Sequence, residues 1–129
     1  MTGETELERF TEAQNRHWDA ILAELRTGRK VTHWMWYVFP QMRGLGRSRM
    51  SWFYGLSGGE EARAYLAHPV LGPRLRQCCA ILLGLEGVTA EQVFGPVDTL
   101  KLRSCMELFD AVEPGAVFAA VLGKWFGER

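Results

Sequence analysis

The sequence predicts an all-α protein, a compact irregular bundle of about six helices in a single domain over residues 1–129. Apolar residues recur at three- and four-residue steps, and capping residues, Gly or Pro separate the periodic stretches. No stretch alternates convincingly with a period of two, and no β-hairpin turn pair occurs. With 47% hydrophobic residues, a chain of 129 residues has enough material for one core.

The first predicted helix opens at a capping box formed by Thr5 and Glu8 and ends before Gly28. Residues 28–32 form a basic turn. Residues 33–39 are almost continuously apolar, so a buried strand and a short buried helix fit equally well until Pro40 ends the element. A loop with two glycines follows at 41–46, and residues 48–54 suit a short helix.

Ser57 and Glu60 form a second capping box, which predicts a helix to about residue 67, where His68 and Pro69 break it. Pro73 suits the first turn of a largely buried helix that continues over 75–85. Thr89 and Gln92 form a third box, opening a short turn that closes at residues 95–96. Asp98 is then expected to cap a helix that points Leu102, Met106 and Phe109 inward, and residues 117–126 form the last helix.

The most informative segment for function is 25–59, which contains no Asp or Glu. It holds six basic residues and seven aromatic residues, although the whole chain has a net charge of zero. Cations beside flat aromatic surface favour an anionic ligand with a stackable ring, or a partner surface of that character. We therefore expect the ligand-binding or interaction site in this segment.

His33 is the candidate general base, since a neutral imidazole among basic residues can accept a proton, although a structural histidine is the alternative. Trp34 and Trp36 are candidates for stacking against a planar ligand, with core packing as the alternative for both. Between Gly44 and Ser48, glycine either permits a turn or lets the backbone approach a ligand. Candidate ligand-binding side chains in this region are Gln41, Arg47 and Ser48.

A second group of candidates lies on the predicted helix that follows Asp98. Lys101 and Ser104 can share one helix face, while Lys101 and Arg103 are two residues apart and cannot point the same way. Lys101 and Arg103 are assigned to ligand binding, with a structural ion pair as the alternative for Arg103. A Ser–Lys nucleophile pair lacks the sequence order that such a pair requires.

The remaining features narrow the class of protein. Three cysteines without metal-ligand spacing are typical of reduced thiols in a cytoplasmic protein, and no metal or cofactor is expected. Residues 1–9 are polar and acidic, unlike a signal peptide, and no apolar run is long enough to span a membrane. The zero net charge argues against nucleic acid as a partner. The sequence does not determine the oligomeric state.

Several blocks stand in one order that closely resembles the bacterial domain-of-unknown-function 1810 family. They include HWMW at 33–36, FPQ at 39–41, GLGRS at 44–48, YLAHPVLG at 65–72 and KLRS at 101–104. The resemblance covers nearly the whole chain and implies a single, mostly helical domain with no established activity. The calpastatin-like label sometimes given to this family does not fit, because calpastatin-type inhibitors are disordered and polar.

Two functions follow from these observations. The first is binding of an anionic, nucleotide-like molecule of the nucleotide or ADP-ribose class, with hydrolysis as its chemistry if His33 acts as base. The second is a non-catalytic protein-interaction module that uses exposed Trp and Arg side chains. Whether the protein is an enzyme stays open. A concave pocket with convergent polar groups would favour the first function, and a flat apolar face the second.

Overall fold

The computed structural model describes residues 3–127 and confirms the all-α prediction. Seven helices occur in this range: α1 (Gly3–Thr27), α2 (Met35–Val38), α3 (Arg49–Phe53), α4 (Gly59–Ala67), α5 (Leu71–Gly84), α6 (Ala90–Val112) and α7 (Val117–Phe126). The described residues form no strand, and their only extended pairing is a single parallel bridge between Met42 and Leu56. None of the described helices is long and apolar enough to cross a membrane.

The core lies where α1, α5, α6 and α7 pack together, with α4 against α5 and α6. The apolar faces predicted from the spacing of residues supply it. Phe10, Ile21, Leu25, Leu75, Leu82, Leu102, Met106, Phe109 and Phe118 are almost completely buried. Burial of these apolar side chains is the main favourable contribution to folding.

Of the two alternatives for residues 33–39, a buried strand and a short buried helix, the structure has the short helix α2. Trp34 is the residue that precedes α2 and Trp36 lies within the helix, and the two side chains have different surroundings. Trp34 is 1% exposed in the core, whereas Trp36 is only partly buried. The short helix predicted over 48–54 is confirmed as α3, and the Ser48 side chain caps it by accepting from Ser51 N.

The capping predictions had mixed outcomes. The box of Thr89 and Gln92 is confirmed at the start of α6. The box at Ser57 is wrong, because α4 begins at Gly59 and Glu61, not Glu60, accepts from Ser57 N. The helix α1 already begins at Gly3, so Thr5 is within it, and the Thr5 side chain lies outside the described residues.

Asp98 does not cap a helix. The helix α6 continues through this position from Pro96, after a kink at Gly95, whose φ of 82° is left-handed. The Asp98 carboxylate instead pairs with Lys30 at 2.8 Å and with Lys101 at 3.9 Å. A partner from a distant part of the chain therefore decides its role.

Glu24 fixes the turn between α1 and α2. One carboxylate accepts hydrogen bonds from Val31 N, Thr32 N, the Thr32 hydroxyl and Trp34 Nε1 at 2.7–3.1 Å. Partial burial acts to raise the pKa of Glu24, but the hydrogen bonds outweigh it and lower the pKa to about 2. The charged form is thus the one that holds α2 in place.

We expect Glu24→Gln to lower the free energy of unfolding by roughly 2 kcal/mol at pH 7, because a neutral amide replaces the carboxylate that accepts four hydrogen bonds. Since the folded-state pKa lies below the unfolded-state value, the contribution is present above about pH 4.5 and is lost as the pH falls towards 2. Urea unfolding at pH 7 and pH 3 checks this, and the difference between wild type and variant should shrink at pH 3. Glu86→Gln, at an exposed position, is the control.

Candidate functional site

The segment from Gln41 to Leu56 folds into a closed loop. Arg43 N donates to Leu56 O at 2.8 Å and Leu56 N donates to Gln41 O at 2.9 Å, which brings the two ends of the loop together. Within it, Gly46 packs against Ser51 so closely that a Cβ would lie 2.3 Å from Ser51 Oγ. The glycine at 46 therefore serves close packing within the loop, while Gly44, with φ at 99°, serves the turn.

Arg9 of α1 anchors the far end of this loop. Its guanidinium donates to Phe53 O at 2.8 Å, to Gly55 O at 3.1 Å and to the Glu61 carboxylate at 3.2–3.3 Å. The two side chains are only 12% and 7% exposed. Burial raises the pKa of Glu61, but the bonds from Arg9 and Ser57 outweigh this effect and leave the pKa below its usual value.

A cleft of about 440 Å³ separates this loop from α6, and we call it the loop–α6 cleft. Its loop wall and its helix wall carry cationic, hydroxyl, amide and apolar side chains and no carboxylate. The lining consists of Gln41, Leu45, Gly46, Arg47, Ser48, Ser51, Val97, Leu100, Lys101 and Ser104. Leu45, Val97 and Leu100 are each more than 60% exposed, so apolar surface is open to solvent here.

A much smaller cavity of about 10 Å³ adjoins the cleft, and we call it the side pocket. It shares Gln41, Ser51 and Lys101 with the cleft, and aromatic and apolar side chains complete it. Its other lining residues are Met35, Trp36, Phe39, Tyr54 and Gly55. The Lys101 ammonium lies 5.3 Å from the centroid of the Trp36 ring, so the cation stands over an aromatic face between the two spaces.

The charge on Lys101 is only loosely compensated. Its Nζ is 3.9 Å from Asp98, whose carboxylate is closer to Lys30 Nζ, at 2.8 Å. Because Coulomb attraction falls with distance, Asp98 attracts Lys30 more strongly than it attracts Lys101. Lys101 therefore retains the capacity to pair with an anion in the cleft.

Five of the side chains predicted for a site lie together. Trp36 lines the side pocket, Arg47 and Ser48 line the cleft, and Gln41 and Lys101 line both. The sequence places Ser104 on the same face as Lys101 without assigning it to ligand binding, and it assigns no role to Ser51 or to the apolar residues of α6 that line the cleft. Residues 97, 100, 101 and 104 share one face of the helix. Two apolar residues on this face, Val97 and Leu100, were the feature of the sequence that could have indicated the helix wall of the cleft.

Three predicted residues lie elsewhere. Trp34 is buried and donates its Nε1 proton to Glu24, so it belongs to the core. His33 is exposed and is absent from the lining of the cleft and the side pocket. Arg103 pairs with Glu107 at 3.5 Å and lies over the Phe126 ring, in agreement with the structural ion pair considered for it.

A second concave surface lies around exposed aromatic rings at the end of α3. Glu6, Arg9, Arg43, Trp52 and Phe53 line it, and Trp52 and Phe53 are 61% and 53% exposed. The Arg43 guanidinium stacks 4.8 Å from the Trp52 ring centroid. In the part of the chain that the structure describes, no group of three or more His, Cys, Asp or Glu side chains is arranged to hold a metal.

Comparisons with known proteins agree with the resemblance found in the sequence. A family model described as "Protein of unknown function (DUF1810)" matches residues 4–129. The fold is similar to the crystal structure of the conserved hypothetical protein Rv1873 from Mycobacterium tuberculosis, with a TM-score of 0.92 and 47% sequence identity. That similarity covers 95% of this chain and 88% of the other. No curated protein matches the chain.

Proposed function

We propose that this chain, which belongs to the DUF1810 family, binds a small anionic molecule with a planar group in the loop–α6 cleft. One observation carries the proposal: Arg47 and Lys101 line a cleft with no carboxylate, next to an aromatic ring. The nucleotide and ADP-ribose class combines the required charge and planarity. Neither the family description nor the similar structure names a ligand.

Charge and hydrogen-bonding capacity support an anion. The Arg47 and Lys101 side chains carry positive charge, and Ser51 and Ser104 add hydroxyl donors to the lining, whereas Ser48 already donates its proton to Ser51 Oγ. Hydrogen bonds in which a cation donates to a phosphate or carboxylate oxygen are about twice as strong as neutral ones. A carboxylate on the ligand or a phosphate would thus find complementary groups on both walls of the cleft.

Shape and apolar surface support a ligand with a planar part. A volume of about 440 Å³ falls within the usual range of roughly 300–1,000 Å³ for small-molecule sites. Exposed apolar side chains on both walls, Leu45 from the loop and Leu100 from α6, would cover the faces of a ring. We propose binding and no reaction, because His33, the candidate base, does not line the cleft.

A thermal-shift screen tests this proposal. The panel contains nucleotides, NAD and ADP-ribose. Inorganic phosphate represents the anionic part of the ligand alone, and uncharged nucleosides represent the planar part alone. A ligand at about 100 times its dissociation constant adds roughly 2.7 kcal/mol of stability, or a rise in Tm of about 10 °C. We expect the complete nucleotides to exceed either half. If every compound leaves Tm unchanged, the proposal is wrong.

The proposal keeps the cytoplasmic location inferred from the sequence. The thiols of Cys78, Cys79 and Cys105 are free and buried, and burial raises the pKa of each. Free thiols of this kind suit a reducing compartment.

A protein-interaction module is the second candidate, and the exposed Trp52 and Phe53 rings favour it. Aromatic and Arg side chains are the usual anchors of interfaces. The candidate predicts that Trp52→Ala and Phe53→Ala abolish capture of a partner while leaving every small-molecule shift intact. If Trp52→Ala or Phe53→Ala removes the rise in Tm that a ligand causes, the aromatic surface belongs to the small-molecule site instead.

A further inference from the structure

The short helix α3 leaves most of its side chains outside the core. Ser51 is its only buried residue, whereas Met50, Trp52 and Phe53 are 40%, 61% and 53% exposed. An apolar residue that is exposed singly is normal on a protein surface and needs no explanation. Three large apolar side chains within one helical turn instead form a patch, and a patch of this kind is typical of an interaction site.

Two arginines lie among these apolar side chains. Arg49 is three positions from Trp52 and four from Phe53, so the three side chains are neighbours on the helix surface. Arg43 joins them from the loop, since its guanidinium stacks 4.8 Å from the Trp52 ring centroid. We call the surface formed by Arg43, Arg49, Met50, Trp52 and Phe53 the α3 face.

The aromatic rings of the α3 face are exposed but held in place. Arg43 Nε donates to Trp52 O at 3.0 Å, while the guanidinium lies against the Trp52 ring. The Phe53 ring packs edge-on against Tyr54, with the ring centroids 4.8 Å apart. Aromatic side chains that are already ordered lose little conformational entropy when a partner binds. The α3 face is therefore preorganised as a binding surface.

The positive charge of the α3 face is not compensated within the protein. Neither Arg43 nor Arg49 forms an ion pair with a carboxylate of the described residues. Arg9, which lines the adjoining concave surface, is by contrast paired with Glu61. Glu6 of α1 is the acidic residue in the lining of that concave surface. A complementary partner therefore presents carboxylates to Arg43 and Arg49 and keeps them away from Glu6.

We infer that the α3 face docks an acidic segment of a protein partner, in which apolar side chains are interspersed among the carboxylates. The apolar side chains pack on Trp52 and Phe53, and the carboxylates accept from Arg43 and Arg49. Two cations in a chain of zero net charge give too weak a field for a nucleic acid or an anionic membrane. The inference goes beyond ligand binding in the loop–α6 cleft and stands or falls separately from it.

Selection from a library of random peptides displayed on phage tests the chemistry of the partner. The wild-type protein is the bait, and Trp52→Ala serves for counter-selection, so that only peptides that require the α3 face are retained. Peptides that combine Asp or Glu with apolar residues are expected to be enriched. A selection that enriches no peptide, or that enriches peptides without acidic residues, would overturn the inference.

Titration of the most enriched peptide, followed by fluorescence anisotropy, measures what each group contributes. Phe53→Ala and Arg49→Gln should each weaken binding about tenfold, because one removes an apolar anchor and the other a cation. Glu6→Gln should strengthen binding about two- to threefold, because it removes a repulsive carboxylate. Leu100→Ala truncates an exposed apolar side chain in the loop–α6 cleft and is the matched control, with unchanged affinity. Full affinity in Arg49→Gln, or an equal loss in Leu100→Ala, would contradict docking on the α3 face.

The same proteins test the other two classes of partner. A labelled oligothymidine and vesicles that contain phosphatidylserine are expected not to bind at an ionic strength of about 0.15 M. Binding of either probe that Trp52→Ala abolishes would overturn the inference and assign the α3 face to nucleic acid or membrane. The nucleotide screen is independent of these outcomes, because none of these probes is a ligand proposed for the cleft.

Discussion

Arg9→Met is expected to lower the free energy of unfolding by about 3–5 kcal/mol, because it leaves the Glu61 carboxylate buried without its cation. The Glu61 side chain is 7% exposed, and Arg9 donates to both of its oxygens. The same substitution removes the donors to Phe53 O and Gly55 O. The effect on the loop that forms one wall of the cleft is therefore direct.

Urea unfolding of four proteins measures this effect: wild type, Arg9→Met, Glu61→Gln and the double variant. The double variant should recover part of the loss, since neither charge is then left unpaired. Arg16→Met, which removes an exposed Arg from the same helix, is the control and should cost less than about 0.5 kcal/mol. A loss below about 1 kcal/mol in Arg9→Met would show that the ion pair does not anchor the loop.

Gly72→Ala is expected to cost about 2–4 kcal/mol, because the first turn of α5 lies directly against the last turn of α4. A Cβ at Gly72 would be 2.1 Å from Leu66 O, and a backbone atom cannot move aside as a flexible side chain can. The two helices must separate to admit one methyl group. Both contribute to the core, so the strain extends beyond the contact itself.

Gly84→Ala, in the same helix, provides a matched control with the opposite sign. Apart from its chain neighbours and the backbone of its own helix, no atom lies within 4 Å of a Cβ at Gly84. Alanine also restricts the unfolded chain, so a gain of up to about 0.5–1 kcal/mol is expected. Thermal unfolding of the two single variants gives the comparison. Losses of similar size at both positions would mean that helix propensity, and not the contact with Leu66, determines the result.

Local patterns in the sequence were sufficient for most of the helices. Thr89 with Gln92 marked the start of α6, because the two residues of this cap are three positions apart, and the short helix expected over 48–54 is α3. Patterns failed where a distant partner decides the outcome. Asp98 pairs with Lys30, and Glu61 is held by Arg9, 52 residues away, so neither role is readable from neighbouring residues.

The site shows the same division. The absence of acidic residues over 25–59 drew attention to Arg47 and Gln41, which line the cleft. Core packing was one of two alternatives for Trp34, and the choice could not be made while residues 33–39 fitted a strand or a helix equally well. The side pocket was not predictable, because it needs Trp36, Ser51 and Lys101 from three different helices or their ends.

The most direct test of the central claim is the dissociation constant of the nucleotide that gives the largest thermal shift, measured by titration. Lys101→Met and Arg47→Met should each weaken binding about 10- to 100-fold, because each removes a cationic donor to the ligand. Lys101→Met should leave the fold intact, since Asp98 retains Lys30. Arg29→Met removes the same charge from an exposed position outside the cleft and should change affinity less than threefold. Unchanged affinity in both cleft variants, or an equal loss in Arg29→Met, would contradict a ligand site in the loop–α6 cleft.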